Sequence, residues 1–316
     1  MPSAAKISPA AMLKIDRFLD RACLVHPGRR FRLASHDPGA VGRGPLRSLG
    51  AAKPGDTLKG QAQRFLRRNL DELAEAQELL WANDSRSLLV VLQAMDAAGK
   101  DGTIKHVMSG VNPTGCRVVS FKAPNKEELD HNWLWRIWRN VPERGQICIF
   151  NRSHYEDVLV VRVHPELLDR SGLPPGRRGK EFWQERCEDI NAFERHLARN
   201  GTTIVKIFLN VSKGEQKRRF IARLDEPDKN WKFSAGDVVE RVHWDAYMAA
   251  YEKAMGATST SWAPWFVVPA DHKWITRVLV GRIITRAIAS MKLEPPRVSS
   301  AQRELLLAAR RQLARE

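Results

Sequence analysis

The sequence predicts an α/β protein with a parallel five-stranded sheet between two layers of helices. Five apolar runs have the length of buried strands and lie at 87–92, 117–121, 146–150, 202–209 and 265–268. Segments with helical spacing precede and separate these runs, at 60–82, 103–109, 125–140, 155–168, 180–199 and 236–255. Strands that alternate with helices are typical of a parallel sheet covered on both faces. Right-handed crossovers then place the loops after the strands along one edge, where we expect the functional site.

Charge gives the first indication of a ligand. The chain has 52 Lys and Arg against 36 Asp and Glu, a net charge of +16. Such an excess usually faces a polyanion such as nucleic acid, an anionic membrane or a chain of phosphates, and a solvated surface is the alternative. Four widely spaced cysteines without a CxxC pair argue against a disulfide framework or structural zinc. No apolar run approaches the ~18 residues of a membrane span, and no signal peptide is recognisable, so we expect a cytoplasmic protein.

Three parts are expected along the chain. Residues 1–59 form a basic arm rich in Pro, Gly and Arg, without a period, and are expected to be irregular. Residues 60–295 form the α/β domain. Residues 296–316 have the pattern of a basic amphipathic helix, which we expect to pack on the body or on a partner subunit rather than on a membrane.

The segment after the first strand has the spacing of a phosphate-binding loop that opens a helix. It reads Ala94-Met95-Asp96-Ala97-Ala98-Gly99-Lys100-Asp101-Gly102-Thr103. Small residues allow backbone N–H groups to surround phosphate oxygens, and Lys100 adds a full positive charge at the helix N-terminus. Ala94 replaces the usual first Gly, and Asp101 replaces the Ser or Thr that usually holds magnesium. A structural glycine turn with a solvated lysine is the alternative interpretation.

Asp96 puts a carboxylate inside this loop. Phosphate would repel it unless a cation lay between them, so we expect Asp96 to help bind Mg²⁺. The alternative is that Asp96 orients or deprotonates the attacking group.

A second polar segment follows the strand at 146–150. It reads Asn151-Arg152-Ser153-His154-Tyr155-Glu156-Asp157. A phosphoryl-transfer site usually has an acid at the end of this strand, whereas here an amide comes first and two acids close the segment. Arg152 can clamp the transferring phosphate, and a structural Arg152–Glu156 pair is the alternative. His154 and His164 are expected to be structural, because phosphoryl transfer depends on positioning and charge more than on a base.

A basic segment over 213–240 predicts a lid. Its first half is a cationic helix with Arg219 and Arg223 one turn apart, and a proline break follows. Such a segment can close over phosphates and expel water, and a solvated face is the alternative. Further basic residues are candidates for lining a path for a long polyanion, on position and charge alone: Lys122, Arg136, Arg139, Arg218 and Arg219.

These motifs together resemble the polyphosphate kinase 2 family over about 60–290. The matching stretches are 95–103, 106–113, 120–122, 151–157, and the lid with Arg223 and Trp231-Lys232. The resemblance implies a three-layer P-loop kinase fold with a helical lid. It also implies direct in-line phosphoryl transfer between inorganic polyphosphate and adenine or guanine nucleotides, with Mg²⁺ or alternatively Mn²⁺. A homodimer or homotetramer is implied, and we expect no specific nucleic acid and no membrane as partner.

The motifs and the resemblance together give expected roles for individual residues; the resemblance itself implies those of Asp96, Lys100, Arg152, Arg223 and Lys232. Asp96, Lys100, Arg152 and Glu156 are the expected catalytic residues, and Asp96 and Asp157 the expected metal ligands. The expected substrate-binding residues are Ala97, Ala98, Gly99, Asp101, Gly102, Thr103, Lys122, Asn151, Arg218, Arg219, Arg223 and Lys232. Among them, Arg223 and Lys232 would contact the nucleotide from the lid.

The order of residues after the 146–150 strand bears on the acceptor. Glu156 and Asp157 after Asn-Arg-Ser-His-Tyr resemble the class III type of the family, which accepts both AMP and ADP. Members limited to diphosphates tend to carry Asp where Asn151 stands and Asn where Glu156 stands. Two other functions fit parts of the pattern: an ATP-using nucleoside-monophosphate kinase, and a polyanion-binding scaffold with a vestigial loop.

Overall fold

A six-stranded sheet forms the centre of the molecule, in the order β1-β6-β5-β2-β4-β3. The computed structural model describes residues 9–40, 57–174, 176, 178–232 and 234–316. Its strands are β1 (Leu24–Val25), β2 (Ser87–Ala94), β3 (Cys116–Ser120), β4 (Ile147–Asn151), β5 (Thr202–Asn210) and β6 (Trp265–Pro269). β2 is central, and its Val90 pairs with Ile149 of β4 on one side and with Val205 of β5 on the other. β2 is buried along its whole length, as its apolar sequence predicts.

Strands β2 to β6 are parallel and confirm the five predicted strands, but the predicted total of five was wrong. The sixth strand, β1, pairs antiparallel with β6, with Leu24 opposite Phe266. It has two residues, too few for an alternating pattern, and it lies in the arm rich in Pro, Gly and Arg. No sequence signal therefore marked this edge strand.

Helices cover both faces of the sheet, which confirms the three-layer prediction. They are α1 (Pro9–Phe18), α2 (Leu58–Asn83), α3 (Lys100–Val107), α4 (Lys126–Leu129), α5 (Trp135–Trp138), α6 (Val160–Val163), α7 (Lys180–Arg199), α8 (Lys213–Asp225), α9 (Ala235–Glu240), α10 (Trp244–Thr258), α11 (Lys273–Ser290) and α12 (Ser300–Leu313). α11 packs against α2 and α3, while α7 packs against β5 and α10. Asn69 ties α2 to α11 by donating to the carbonyl of Val278 at 3.1 Å.

Two segments predicted as single helices are broken. The 125–140 segment contains only α4 and α5, because the Asn132 side chain accepts the N–H of Leu134 and so competes with helix continuation. The 155–168 segment consists of α6 between two 3₁₀ turns, His154–Val158 and Pro165–Arg170.

The N-terminal arm is regular from Pro9 to Val25, whereas most of 26–40 consists of turns and coil. α1 continues through a π-helical turn at Leu19–Cys23 into β1, and Ile15 and Leu19 are fully buried. Asp16 forms a two-pronged ion pair with Arg282 of α11, each contact 2.8 Å long. The arm thus packs into the core; the domain boundaries stay a prediction.

The C-terminal helix is present as α12, and all of its residues are exposed. Packing on the body, one of the two expectations for this helix, is therefore wrong; packing on a partner subunit stays a prediction. Within the described ranges, none of the helices combines the length and the apolar character needed to cross a bilayer.

Candidate active site

The phosphate loop joins the central strand β2 to α3. Ala97 and Gly99 have left-handed backbone conformations, with φ of 59° and 104°. Alternation of this kind turns successive backbone amides toward one concavity, where an anion can be bound. A left-handed conformation is unfavourable for Ala97, and strain of this sort collects at functional sites. Ala94 ends β2 opposite Leu209, in extended backbone where the usual first glycine is not needed.

Lys100 begins α3 and folds back over the loop. Its Nζ donates to the carbonyl of Ala94 at 2.9 Å. Burial lowers the pKa of the Lys100 amine, and the nearby carboxylate of Asp96 opposes that shift. The Lys100 amine therefore lies against a carbonyl at the start of the loop, with the Asp96 carboxylate close by.

Arg152 lies directly after β4 and faces this loop. Its guanidinium donates to Asp96 Oδ1 at 3.0 Å and lies 3.6 Å from Glu156 Oε2. Its φ of 63° is left-handed, an unfavourable conformation for a residue with a side chain. The predicted proximity of Asp96, Lys100, Arg152 and Glu156 is thus present in the fold, and the i,i+4 ion pair exists as well.

Asn151 and Asp101 contact each other, which explains two departures from the usual phosphate-loop pattern. Asn151 Nδ2 donates to Asp101 Oδ1 at 2.8 Å and lies 3.3 Å from Ser120 Oγ. This contact fastens the start of α3 to the ends of β3 and β4. Asp101 is therefore occupied by an amide where other loops place a hydroxyl on magnesium.

Glu156 and Asp157 point to different partners. They lie in the 3₁₀ turn His154–Val158, in which successive side chains diverge by about 120°. Burial raises the pKa of both carboxyls, that of Asp157 to about 6. Asp157 pairs with the buried Arg186 at 3.4 Å, whereas Glu156 faces Arg152. These contacts do not support a shared metal site for Asp96 and Asp157, and that assignment stays a prediction.

A fully buried polar cluster surrounds Tyr155, which follows Arg152 by three residues. Lys206 of β5 forms an ion pair with Glu194 of α7, and its Nζ also donates to the hydroxyl of Tyr155 at 2.9 Å. Tyr155 in turn donates to Glu194 at 3.0 Å. His154 contacts the same carboxylate at 3.3 Å, and burial lowers the pKa of its imidazole. These contacts support the expected structural role of His154. The buried lysine in β5 was not recognised from the sequence.

The lid comprises α8, the 3₁₀ turn Pro227–Lys232 and α9. Arg218 is exposed and pairs with Glu215, also of α8. Arg223 approaches Asp237 of α9 at 4.0 Å. The side chain of Lys232, the other predicted lid contact, lies outside the described residues. Gln216 connects the lid to the loop by donating to the Asp96 carbonyl at 2.9 Å.

Arg219 was expected to bind substrate, and its contacts lie within the protein instead. Its Nη1 donates to the carbonyls of Ala97 at 3.1 Å and Ala98 at 2.7 Å. Its Nη2 donates to the carbonyls of Ala270 at 2.6 Å and Asp271 at 3.1 Å. With its Nε on Glu215, no guanidinium nitrogen lacks a protein partner, so Arg219 fastens the lid to the back of the phosphate loop.

The basic residues near β3 also differ in their burial and contacts. Arg136 is buried and donates to the carbonyl of Lys122 at 2.8 Å, so its contacts lie within the protein. Arg139 is exposed and stacks over Trp135 with its guanidinium carbon 4.7 Å from the ring centroid. Lys122 is exposed and stays a candidate for contacting a polyanion.

Asp237 is a site residue that the sequence did not reveal. Burial raises the pKa of its carboxyl, and the negative charge of Asp96 raises it further, while Arg223 and Arg152 oppose the shift. The carboxylates of Asp237 and Asp96 are therefore close enough to interact electrostatically. Asp237 lies about 140 residues from Asp96 in the printed sequence, and only the folding of the lid brings them together.

A model of the polyphosphate kinase 2 family matches residues 57–296. An ADP-polyphosphate phosphotransferase of Rhodopseudomonas palustris is 47% identical over 286 residues, which are 90% of this chain and 98% of that protein. An AMP/ADP-polyphosphate phosphotransferase of Meiothermus ruber is 44% identical over 283 residues, again 90% and 98%. The crystal structure of polyphosphate kinase 2 from Arthrobacter aurescens TC1 is similar with a TM-score of 0.78 at 40% identity, covering 93% of this chain and 96% of that chain.

Proposed function

The chain belongs to the polyphosphate kinase 2 family, and from this premise we propose that it transfers a phosphoryl group between inorganic polyphosphate and the nucleotides AMP and ADP. The observation that carries the proposal is the convergence of Lys100, Arg152 and Asp96 at the carboxyl end of β2. Similarity to one relative named for ADP and one named for AMP and ADP supports adenine nucleotides as acceptors.

The residues at this edge supply what in-line transfer requires. The amides around Ala97–Gly99 and the Lys100 ammonium bind phosphate oxygens. Arg152 projects from β4 with its side chain 42% exposed, so its guanidinium can reach a phosphoryl group above the loop. The lid brings Arg223 over the same region. Transfer through a loose transition state needs alignment and positive charge more than a base, so this set suffices without a covalent intermediate.

We propose Mg²⁺, or alternatively Mn²⁺, as the cofactor. No cluster of three or more protein ligands occurs within the described ranges, but Mg²⁺ is commonly held by one or two carboxylates together with substrate phosphates. Asp96 and Asp237 are candidates for that donor set, because the negative charge of Asp96 is close enough to raise the pKa of Asp237. When bound there, the ion would neutralise charge on the transferring phosphates.

We also propose that the protein is cytoplasmic and forms a homodimer or homotetramer. Exposed leucines on α12 support a partner subunit, since Leu305 is 70% and Leu313 67% exposed. Leaving such side chains in water is unfavourable, and contact with another chain would cover them.

A substrate matrix tests the proposed activity. AMP, ADP, GMP and GDP are each incubated with polyphosphate and Mg²⁺ but no ATP, and the products are separated by chromatography. We expect ADP and ATP to form from AMP, and ATP from ADP. Turnover that appears only when ATP is added as donor would favour a nucleoside-monophosphate kinase instead.

A further inference from the structure

A basic cleft of about 410 Å³ lies between the N-terminal arm and the sheet. Asn210 and Pro269, the last residues of β5 and β6, form its wall on the sheet side. The arm contributes four arginines and two histidines: Arg21, Arg29, Arg30, Arg32, His26 and His36. Among the described lining residues Asp37 is the one acid, so the charge with neutral histidines is 4 − 1 = +3.

The four arginines have no acidic partners among the residues that the structure describes. None of them lies within ion-pair distance of a carboxylate in the described ranges, whereas Arg282 of α11 is paired with Asp16. All four are exposed at the cleft. Like charges held together without counter-charges repel one another, and an anion bound among them relieves that repulsion. Guanidinium groups bind phosphate oxygens in pairs of hydrogen bonds, which favours a phosphate-rich ligand.

The cleft is built by hydrogen bonds rather than by a loose terminus. Asn210 Nδ2 donates to the carbonyl of His36 at 2.7 Å, and His36 Nδ1 donates to the carbonyl of Ala22 at 2.8 Å. The N–H of Leu33 donates to Glu252 of α10 at 2.7 Å. These contacts hold the arginine-bearing segment in one position against the ends of β5 and β6.

The cleft and the phosphate loop share one edge of the sheet. β6 is two strands from β2, and neighbouring strands lie about 4.8 Å apart, so the two sites are separated by a distance on the order of 10 Å across the sheet. Contacts connect them: the N–H of Asp271 donates to the carbonyl of Pro38, and Arg219 joins the carbonyl of Asp271 to that of Ala98. A ligand that is itself a long chain can therefore occupy both.

We propose that this arginine cleft is a second phosphate-binding subsite, which holds a distal part of the polyphosphate chain while the chain's reacting end lies at the phosphate loop. The inference rests on the proposed function. It accounts for arginines at the carboxyl edge of the sheet that have no acidic partner among the described residues and that a nucleotide bound at the loop does not need. Short phosphate chains, which end before the cleft, would bind without it.

The test compares two variants with the same loss of charge. In the cleft variant, Arg21, Arg29, Arg30 and Arg32 are all changed to Gln. In the control, four of the five exposed arginines of the C-terminal segment are changed to Gln: Arg303, Arg310, Arg311 and Arg315. The KM for long-chain polyphosphate, the KM for tripolyphosphate, the KM for ADP and kcat are measured for each, and thermal melting checks that both fold.

We expect the cleft variant to raise the KM for long-chain polyphosphate by roughly tenfold or more, since several phosphate contacts are lost. Its kcat and its KM for ADP and tripolyphosphate should stay within about twofold of the wild type, and the control should behave as the wild type does. The KM for long chains should also depend less steeply on salt in the cleft variant.

Three results would overturn the inference. The first is an equal KM for long chains in the cleft and control variants. The second is a tripolyphosphate KM that rises as much as the long-chain KM, which would place the effect at the loop. The third is a response of wild-type tripolyphosphate turnover to added orthophosphate that the cleft variant lacks, which would make the cleft a site for free phosphate. Failure of the proposed function is separate, because the wild type would then show no polyphosphate-dependent turnover.

Discussion

Arg152 donates a hydrogen bond of 3.0 Å to Asp96, and this contact joins the turn after β4 to the phosphate loop after β2. Both residues lie at the carboxyl end of their strands, which are direct neighbours in the sheet. The pair satisfies each charge while both side chains remain partly exposed. A bound phosphate would compete for Arg152 and its metal ion for Asp96. Both side chains can therefore exchange this internal contact for contacts with ligands.

Asp237 of the lid should matter for activity rather than for folding. Changing Asp237 to Asn removes a carboxylate that faces Asp96 but keeps the shape of the side chain. We expect kcat/KM to fall by on the order of 100-fold, comparable to the loss of one preorganised electrostatic contact. The apparent Mg²⁺ requirement should rise at the same time.

The matched control for this change is Asp245→Asn, at an acid on the exposed surface of α10. Steady-state rates at several Mg²⁺ concentrations measure both effects. Wild-type Mg²⁺ dependence in the Asp237 variant would rule out the pairing of Asp96 and Asp237 at a metal.

Arg219 and Arg218 are neighbours in sequence with opposite environments, which gives a direct test of the lid attachment. Arg219 donates to the phosphate loop, whereas the side chain of Arg218 is 73% exposed. Changing Arg219 to Gln should lower kcat and raise KM together, because the lid loses its connection to the loop. The Arg218→Gln variant should stay within about threefold of the wild type, since exposed ion pairs contribute little.

Rates with saturating and limiting ADP separate these effects. Equal losses in the two variants would mean that both arginines act through bound substrate, and the assignment of Arg219 as an internal attachment would be wrong.

The buried Lys206–Glu194 pair should contribute to stability in a way that depends on both partners. Lys206→Met leaves the Glu194 carboxylate buried without its cation, and we expect a loss of about 3–5 kcal/mol in the free energy of unfolding. The double variant Lys206→Met/Glu194→Leu removes both charges and should recover most of that loss.

Urea unfolding of Lys206→Met, Glu194→Leu and the double variant completes the double-mutant cycle. Additive losses would show that the two charges do not interact. A destabilised but folded Lys206 variant should also lose activity, because Lys206 holds Tyr155, and Tyr155 lies three residues after Arg152.

Asp157 should make stability depend on pH in the acidic range. Burial raises the pKa of its carboxyl from 3.8 to about 6, although the guanidinium of Arg186 opposes the shift. Between these two values the folded state binds more protons than the unfolded state, so the contribution of Asp157 to stability falls as the pH rises. At most this amounts to roughly 2–3 kcal/mol between about pH 4 and pH 6.

Comparison with Asp157→Asn isolates the effect, since the amide does not titrate. Urea unfolding between pH 4 and pH 7 should show the wild type losing stability relative to the variant as the pH rises. A constant difference between the two proteins across this range would contradict the assigned shift.

The parts of the fold that the sequence predicted are those with local signals. β2 is a continuous apolar run, and the small residues before Lys100 mark a turn into a helix, so both could be read directly. β1 has two residues and its pairing with β6 is long-range, so no local pattern announced it. Asp237 was missed for a related reason: its role depends on how the lid folds back, which periodicity cannot reveal.

Charge was the least reliable guide to role. The sequence does not distinguish Arg219 from Arg218. The guanidinium of Arg219 nevertheless donates to backbone carbonyls, whereas the side chain of Arg218 is exposed. The sequence predicts only an irregular basic segment for the N-terminal arm, yet the fold brings four of its arginines together in one cleft. Only tertiary contacts show whether a cation has an internal partner, because burial and carbonyl geometry decide it.

Lys100→Ala tests the central claim, that the phosphate loop carries out phosphoryl transfer from polyphosphate. Lys105→Ala, an exposed lysine on the same helix, is its control. Nucleotide formation from AMP and ADP is followed with polyphosphate as the sole donor, and circular dichroism verifies folding. We predict that the Lys100 variant loses activity by at least about 100-fold while melting as a folded protein, and that the control keeps its activity. Undiminished transfer by a folded Lys100 variant would contradict the account.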